Sequence, residues 1–153
     1  MTSNFHIGIM GNLFSGKTTL MQALAQDPYK SDLGGILGGA QVHTFSERVE
    51  KGSLADDCLA LFYKDRVANI FATESAFLYM RTLQQREIRH LMTRESRKGV
   101  IVIEDRPFLD GPEVFVKRMI KSGEMPAAHA RLYWTMLKQS LQAEHIRLPD
   151  LTV

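Results

Sequence analysis

The apolar positions of this chain fall into short runs and longer stripes, which alternate along the sequence. Short stretches rich in β-forming residues predict strands, and apolar positions recurring at helical spacing predict helices between them. The stretch at 99–104 is apolar and β-branched almost throughout, which is typical of a central parallel strand covered on both faces. The pattern predicts an α/β fold, a parallel sheet flanked by helices, with strands at residues 5–10, 41–46, 99–104 and about 150–153.

Two predicted helices occupy the middle of the chain, at residues 54–63 and from 66 to about 96. Glu74 and Arg81 fall on the apolar stripe of the second helix, roughly 10.5 Å apart along its axis. Buried charges are costly unless something satisfies them, so each residue pairs with a neighbouring element, lies where the stripe is partly exposed, or faces a polar ligand. The stripe itself comprises Val67, Ile70, Phe71, Phe77, Leu78, Ile88, Leu91 and Met92.

Further helices are predicted at residues 113–122, opened by Gly111-Pro112, and from Pro126 onward. Tyr133 and Trp134 in the last helix are interpreted as packing or interface residues. Residues 28–39 contain two Gly-Gly pairs and predict a loop, or a helix exit followed by a flexible connection. One face of the last helix carries Leu132, Tyr133, Met136, Leu137 and Leu141.

Residues 11–18, GNLFSGKT, match the phosphate-binding pattern G-x-x-x-x-G-K-S/T between a predicted strand and a predicted helix. Glycine lets the backbone N–H groups point inward at an anion, and the helix N-terminus adds partial positive charge. Lys17 can reach the β- and γ-phosphates of a nucleotide, and the Thr18 hydroxyl can ligate Mg²⁺. The agreement of strand, loop and helix disfavours the alternative, a glycine-rich turn that binds nothing.

Charged residues follow two of the predicted strands. Glu47 comes after the second strand, and Glu104, Asp105 and Arg106 come at the end of the third. Ligands in α/β sheets bind beyond the carboxyl ends of the strands, so Asp105 can hold Mg²⁺ there and Arg106 can neutralise a transferred phosphate. A structural Asp–Arg pair is the alternative.

Composition narrows the function classes. The chain has 153 residues, 44% of them hydrophobic and 24% charged, as expected of one globular domain. A net charge of +2 argues for neither a nucleic-acid nor a membrane partner. The chain has a single cysteine, Cys58, which excludes an internal disulfide framework and favours a cytoplasmic location for the protein. The Cys58 side chain itself is predicted to be buried in packing. No apolar run is long enough to span a membrane, no secretion signal is evident, and the five histidines lack metal-ligand spacing.

Taken in order, the whole chain resembles the deoxynucleoside kinase family. Glu47-Arg48-Val49 is similar to the family's Glu-Pro-Val segment, and Asp105-Arg106-Pro107 to its Glu/Asp-Arg-Ser signature. Residues 61–65 resemble the segment whose tyrosine, here Tyr63, binds the sugar 3′-hydroxyl. Glu74 falls where the family usually has a base-recognising Gln, and Arg81 falls at its Ser-Arg position. Residues 110–115 and 121–125 also follow the family.

This resemblance implies a P-loop kinase that transfers the γ-phosphoryl of ATP, with Mg²⁺, to the 5′-hydroxyl of a small (deoxy)nucleoside. It implies catalytic roles for Glu47 as general base and for Lys17 and Arg106, and it implies a homodimer. The residues assigned to the cofactor are Gly11, Asn12, Ser15, Gly16, Lys17, Thr18 and Thr19, with Thr18 and Asp105 on the metal. The residues assigned to the substrate are Glu47, Tyr63, Glu74, Arg81, Asp105 and Asp110.

Three departures from the family pattern carry predictions. Arg48 replaces Pro, and Pro107 replaces Ser, which removes a hydroxyl and a backbone N–H. Glu74 only accepts hydrogen bonds when ionised, so it favours guanine, whose edge presents two donors, or a non-standard base. No arginine-rich lid follows the fourth strand, which predicts a single domain over residues 1–153 that is truncated at its C-terminus, or a degenerate member.

Other functions share parts of this pattern. Residues 100–105 also resemble the apolar run plus acid of P-loop ATPases and nucleotide-driven switches, where Glu104 or Asp105 would activate water. A catalytically weak protein that still binds nucleoside and ATP is a further alternative. The thymidylate kinases also carry an Asp-Arg after the third strand, but the long helix with Glu74 and Arg81 argues against them.

Overall fold

The computed structural model describes residues 4–11, 15–47, 49–95 and 99–153. The chain divides into two compact units. The first comprises Met1–Glu47, Gln84–Pro107 and Arg147–Val153, and the second comprises Arg48–Leu83 and Phe108–Ile146. The assignment of residues 1–153 to a single domain stays a prediction.

A four-stranded parallel sheet forms the centre of the first unit, in the order β2-β3-β1-β4. This confirms the predicted α/β fold with all four predicted strands. Every residue of β3 is buried, as its uninterrupted apolar sequence predicted. The strands are β1 (Phe5–Ile9), β2 (Gln41–Phe45), β3 (Val100–Asp105) and β4 (Leu151–Thr152).

Helices cover the sheet of the first unit: α1 (Lys17–Leu24), α2 (Tyr29–Ile36) and the last part of α4 (Arg66–Arg94). Successive β3 side chains alternate between two core clusters, because strand side chains point to opposite faces. Ile101 and Ile103 pack with residues of β1 and α1, and Val100 and Val102 pack with Ile88 and Met92 of α4.

Helix α2 corrects the prediction of a loop at residues 28–39. Leu33 packs against the core of the first unit, which stabilises the helix despite its two glycines. Gly34 lies close to the backbone of Ala40, and a Cβ added to it would come within 2.8 Å of the Ala40 carbonyl oxygen. Tertiary packing therefore overrides the low helix propensity of glycine at this position.

The second unit is helical. It contains α3 (Leu54–Lys64), the first part of α4, a π-helical stretch (Gly111–Val116) that continues into α5 (Lys117–Lys121), and α6 (Ala127–Ala143). The Ser53 hydroxyl caps α3 by accepting a hydrogen bond from the backbone N–H of Asp56. The core includes Ile70, Leu78, Phe108, Val116, Tyr133 and Leu137.

Two residues predicted on buried faces are exposed instead. Val67 keeps the helical spacing of the α4 stripe but lies in the first turn, and 59% of it is exposed. Leu132 is 50% exposed, because the buried face of α6 runs through Ala130, Tyr133 and Leu137 and leaves Leu132 to one side. Cys58, predicted to be buried, is partly buried.

Asp150 joins the short strand β4 to β1. Its carboxylate accepts hydrogen bonds from the backbone N–H of His6 (2.8 Å) and from Arg147 Nη2 (2.6 Å), and its own N–H donates to the His6 carbonyl (2.8 Å). Partial burial pushes the pKa of Asp150 up, but the hydrogen bonds from Arg147 and His6 outweigh this effect, so its pKa is lowered.

We expect Asp150→Asn to lower the melting temperature at pH 7 by about 2 °C, since an amide accepts these hydrogen bonds less strongly than a carboxylate. Because the folded pKa lies below the unfolded one, the stabilisation is complete above the unfolded value of about 3.9. It is lost as the pH falls through the folded pKa. Thermal melts of both proteins between pH 7 and 3 measure this, and a difference that does not shrink at low pH would contradict it.

Candidate functional site

The described part of the phosphate-binding loop has the backbone that its glycines predict. Gly11 and Gly16 adopt φ values of 144° and 84°, which favour glycine, and Gly16 is the N-cap of α1. Lys17 is buried, and its Nζ donates a hydrogen bond to Ser15 Oγ at 3.3 Å. Thr19 is exposed on α1. Asn12 lies outside the described residues.

Thr18 and Asp105 meet at the carboxyl ends of β1 and β3. Thr18 Oγ1 donates a hydrogen bond to Asp105 Oδ2 at 2.9 Å. The second carboxylate oxygen, Oδ1, is buried and has no hydrogen-bond partner within the described part of the chain. A hydroxyl beside a carboxylate with an unused oxygen is a donor set that fits Mg²⁺, which takes oxygen ligands and needs few from the protein.

No cluster of three or more His, Cys, Asp or Glu side chains that could enclose a metal ion occurs among the described residues. A magnesium ion held by one carboxylate and one hydroxyl requires no such cluster, because water and nucleotide phosphates complete its coordination. The pair of Thr18 and Asp105 is therefore where the described chain fits this ion.

Glu47 and Arg106 form an ion pair at the same edge of the sheet. Arg106 Nε lies 3.1 Å from Glu47 Oε2, and both side chains are largely buried, at 12% and 19% exposure. Arg106 has a φ of 58°, rare for a residue with a side chain, and its N–H donates to the Ile9 carbonyl at 3.1 Å. The backbone thus bends sharply directly after β3. Arg48 lies outside the described residues.

Pro107, which stands where the family signature has Ser, packs against Gly8 of β1. A Cβ added to Gly8 would lie 2.9 Å from Pro107 Cγ and 2.7 Å from Pro149 Cγ. Glycine is therefore required at this point of β1, because two proline rings approach its backbone closely.

Glu104 faces away from Thr18 and is fully buried. Its Oε1 accepts hydrogen bonds from Gln84 (2.9 Å) and Gln85 (2.7 Å), and its Oε2 lies 3.0 Å from His6 Nε2. The alternation of side chains along β3 explains why Glu104 and the next residue, Asp105, have such different surroundings. A carboxylate engaged in this way is poorly suited to activating water.

The second unit buries two charged residues of α4, Glu74 and Arg81, which are 7% and 5% exposed. The Arg81 guanidinium lies over the Phe77 ring, 5.5 Å from its centroid. A Cβ added to Gly111 would come within 2.1 Å of Arg81 Nη1, so any larger residue at the start of the π-helical stretch would require the guanidinium to move. Asp110, immediately before it, is fully buried. The stripe that the sequence predicted therefore does carry buried charges.

Tyr133 is fully buried in the core of the second unit, which confirms its predicted packing role. Trp134 packs against it edge to face, with ring centroids 5.7 Å apart. The Tyr133 hydroxyl is also buried and has no hydrogen-bond partner in the described ranges, a feature that the apolar pattern of α6 could not reveal. Burial raises the pKa of Tyr133; the charge of Glu74 raises it further, and that of Arg81 partly offsets this.

The predicted site residues are thus distributed over both units. Thr18, Asp105, Glu47, Arg106 and Lys17 belong to the first unit. Tyr63, Glu74, Arg81 and Asp110 belong to the second. Tyr63 is 78% exposed on α3, and its ring contacts Phe62 edge to face.

None of the helices in the described ranges combines the length and the apolarity needed to cross a bilayer.

A model of the deoxynucleoside kinase family matches residues 7–153. No curated protein matches the chain. Kinases of this family act on small nucleosides and in general use ATP and Mg²⁺. Since the match extends from the first strand through the phosphate-binding loop and all the helices to the last residue, the chain belongs to the deoxynucleoside kinase family.

Proposed function

We propose that this protein transfers the γ-phosphoryl group of ATP to the 5′-hydroxyl of a (deoxy)nucleoside. The observation that carries the proposal is the ion pair of Glu47 and Arg106, in which Arg106 directly follows Asp105, the residue that accepts the hydrogen bond from Thr18 at the end of β3. A candidate base, a candidate phosphate-neutralising cation and a phosphate-binding loop then belong to one edge of one sheet.

The loop and its helix supply the binding of the nucleotide. Backbone N–H groups at Gly11 and Gly16 and the N-terminus of α1 favour phosphate oxygens. Lys17, held close to Ser15, adds a positive charge for the β- and γ-phosphates. Thr18 and Asp105 would hold Mg²⁺, which when bound neutralises charge that develops on the phosphates.

Glu47 is the proposed general base. A carboxylate within reach of the 5′-hydroxyl accepts its proton as the oxygen attacks phosphorus, which raises the nucleophilicity of that oxygen. Arg106 orients Glu47 through the 3.1 Å ion pair, and its guanidinium carries further donors that can stabilise the charge on the transferred phosphoryl group. Arg106 directly follows Asp105, and its positive φ of 58° turns the chain sharply at this point.

The second unit supplies the proposed nucleoside contacts. The family resemblance assigns Tyr63 to the sugar 3′-hydroxyl and assigns Asp110 and Arg81 to the substrate. The family resemblance assigns Glu74 to the base; this residue is buried on α4 and, when ionised, only accepts hydrogen bonds. Guanine offers two donors, N1–H and N2–H₂, to one carboxylate, so the proposed preference is for a guanine nucleoside or for a non-standard base with the same donors.

The proposal includes a homodimer located in the cytoplasm. Exposed apolar side chains on the helices of the second unit support association through these helices. They include Val67 (59% exposed) and Tyr79 (56%) on α4 and Leu132 (50%) on α6. The single, unpaired cysteine supports a reducing compartment.

A P-loop ATPase is the principal competing function. It would need a carboxylate that activates water, and the two candidates are Glu104 and Asp105. Glu104 is occupied by Gln84, Gln85 and His6, which disfavours it. Asp105 accepts a hydrogen bond from Thr18, which favours a role in metal binding.

The experiment that tests the proposed function is ADP production with Mg-ATP, measured without addition and with each natural deoxynucleoside. We expect ADP only with one or two nucleosides, deoxyguanosine first among them, together with the 5′-monophosphate. Equal ADP production without any nucleoside would establish the ATPase instead. Binding of nucleoside and ATP without ADP would establish a catalytically weak relative.

We predict that Glu47→Gln lowers kcat roughly 10²- to 10⁴-fold, because an amide cannot accept the 5′-hydroxyl proton. The KM for ATP should change little, since the phosphate-binding loop is intact. Steady-state ADP production at saturating nucleoside measures both constants. Glu50→Gln, an exposed carboxylate three residues away, is the matched control and should retain wild-type kcat. Equal losses in the two variants would argue against Glu47 as the base.

We predict that Glu74→Gln shifts base preference away from guanine and toward adenine or cytosine by about tenfold or more in relative kcat/KM. An amide both donates and accepts, as the edges of these two bases require. Competition between pairs of deoxynucleosides in one reaction measures the shift directly. Glu87→Gln, exposed on the same helix, should leave the preference unchanged. An unchanged preference in Glu74→Gln would remove Glu74 from base recognition.

A further inference from the structure

We infer that Glu104 is a positioning residue for Asp105, the carboxylate proposed to bind Mg²⁺. Its hydrogen bonds to two glutamines of α4 and to a histidine of β1 fix the end of β3, so that the Asp105 carboxylate stays directed at Thr18. This inference rests on the metal site of the proposed function and extends it to residues that touch neither metal nor nucleotide. The family resemblance assigns Glu104 no role.

Glu104 occupies a position where packing alone calls for an apolar residue. Val100 and Val102, which precede it on the same face of β3, are fully buried and pack with α4. Replacing a buried polar group and its partners by well-packed apolar residues is often neutral or stabilising, so stability alone does not explain a fully buried carboxylate here. Such a group adds specificity, because its hydrogen bonds form only in one register and on one face of the strand.

Three side chains from two elements converge on Glu104. Gln84 and Gln85, consecutive on α4, donate to its Oε1 at 2.9 and 2.7 Å, and His6 Nε2 of β1 lies 3.0 Å from its Oε2. His6 and Gln85 are buried, and all four residues belong to the first unit. One carboxylate oxygen is therefore engaged by the helix and the other by the neighbouring strand, which holds the side chain from two directions.

The backbone at Asp105 is paired on one side. Pairing of β3 with β2 ends at Glu104, opposite Phe45, whereas pairing with β1 continues to Asp105, opposite Ile9. Asp105 is also the last residue of the strand, and the chain turns sharply at Arg106. Glu104 is thus the last residue of β3 with a strand on either side. Because side chains alternate along a strand, fixing Glu104 fixes the direction in which Asp105 points.

A small error in the direction of Asp105 matters because of the ion that it is proposed to bind. Mg²⁺ requires nearly ideal octahedral geometry, and the protein ligands proposed for it are one carboxylate and the Thr18 hydroxyl. Protein groups that orient a metal ligand without touching the metal typically account for roughly tenfold to a hundredfold in metal affinity. Glu104 acts in this way, through the backbone that it shares with Asp105.

The affinity for ADP, measured by calorimetry with Mg²⁺ and with EDTA, tests the inference without requiring catalysis. The ratio of the two affinities reports on the metal site, whereas the affinity in EDTA reports on the phosphate-binding loop. We expect Glu104→Leu, which removes both acceptor oxygens, to lower the ratio roughly tenfold and to leave the affinity in EDTA unchanged. Asp105→Asn should also lower the ratio. Adding Glu104→Leu to Asp105→Asn should lower it no further, because Glu104 acts through Asp105.

Val102→Ala is the matched control, since it removes buried atoms from the same face of β3 two residues earlier. It should lower the melting temperature and keep the wild-type ratio. Glu104→Gln should keep the ratio within about threefold of the wild type, because its carbonyl oxygen still accepts from α4 and its amide can donate to His6. Gln85→Leu removes one donor and leaves Glu104 in place. It should lower the ratio in the same direction, and it serves if Glu104→Leu does not fold.

An unchanged ratio in folded Glu104→Leu would overturn the inference and leave the proposed function intact. A ratio that falls equally in Glu104→Leu and Val102→Ala would also overturn it, because any loss of packing would then suffice. A wild type that binds ADP equally well with Mg²⁺ and with EDTA would overturn it too. A wild type whose ADP affinity depends on Mg²⁺, but which makes no ADP from ATP with any nucleoside, would overturn the proposed kinase function while the inference stands.

Discussion

The hydrogen bonds around Glu104 determine how the end of β3 presents its side chains. Gln84 and Gln85 from α4 and His6 from β1 surround this carboxylate, which is removed completely from water. Taking one partner away would leave the buried carboxyl group short of a hydrogen bond, so the face of the strand that Glu104 occupies is strongly specified. Because strand side chains alternate, the next residue, Asp105, must face the phosphate-binding loop.

The chemistry that we propose for the first unit follows from that alternation. Asp105 meets Thr18, and the positive φ of Arg106 turns the chain so that the guanidinium reaches Glu47 after β2. Strain at a residue with a side chain persists only where its surroundings hold it, and the N–H of Arg106 is held by the Ile9 carbonyl. The second unit places its polar groups differently, since Glu74 and Arg81 lie on a helix and are buried by the packing of neighbouring helices.

Much of the fold was predictable from the sequence because its signals are local. The four strands, the long α4 and the phosphate-binding loop follow from apolar periodicity and glycine spacing, which depend on neighbours within a few residues. The same periodicity correctly placed Glu74 and Arg81 on a buried stripe. It was wrong where contacts between distant residues decide: Leu33 and the close approach of Gly34 to Ala40 make α2 a helix in a stretch predicted as a loop.

The sequence by itself determined which residue types are present at each strand end and helix face, and that the chain belongs among α/β P-loop proteins. Only the tertiary structure decided which of two consecutive carboxylates faces the loop, because a run of buried residues has no polar alternation to indicate its register. Only it paired Arg106 with Glu47 and left the Tyr133 hydroxyl buried without a partner among the described residues. Those outcomes depend on the directions of side chains brought together from distant parts of the sequence, and no local pattern encodes them.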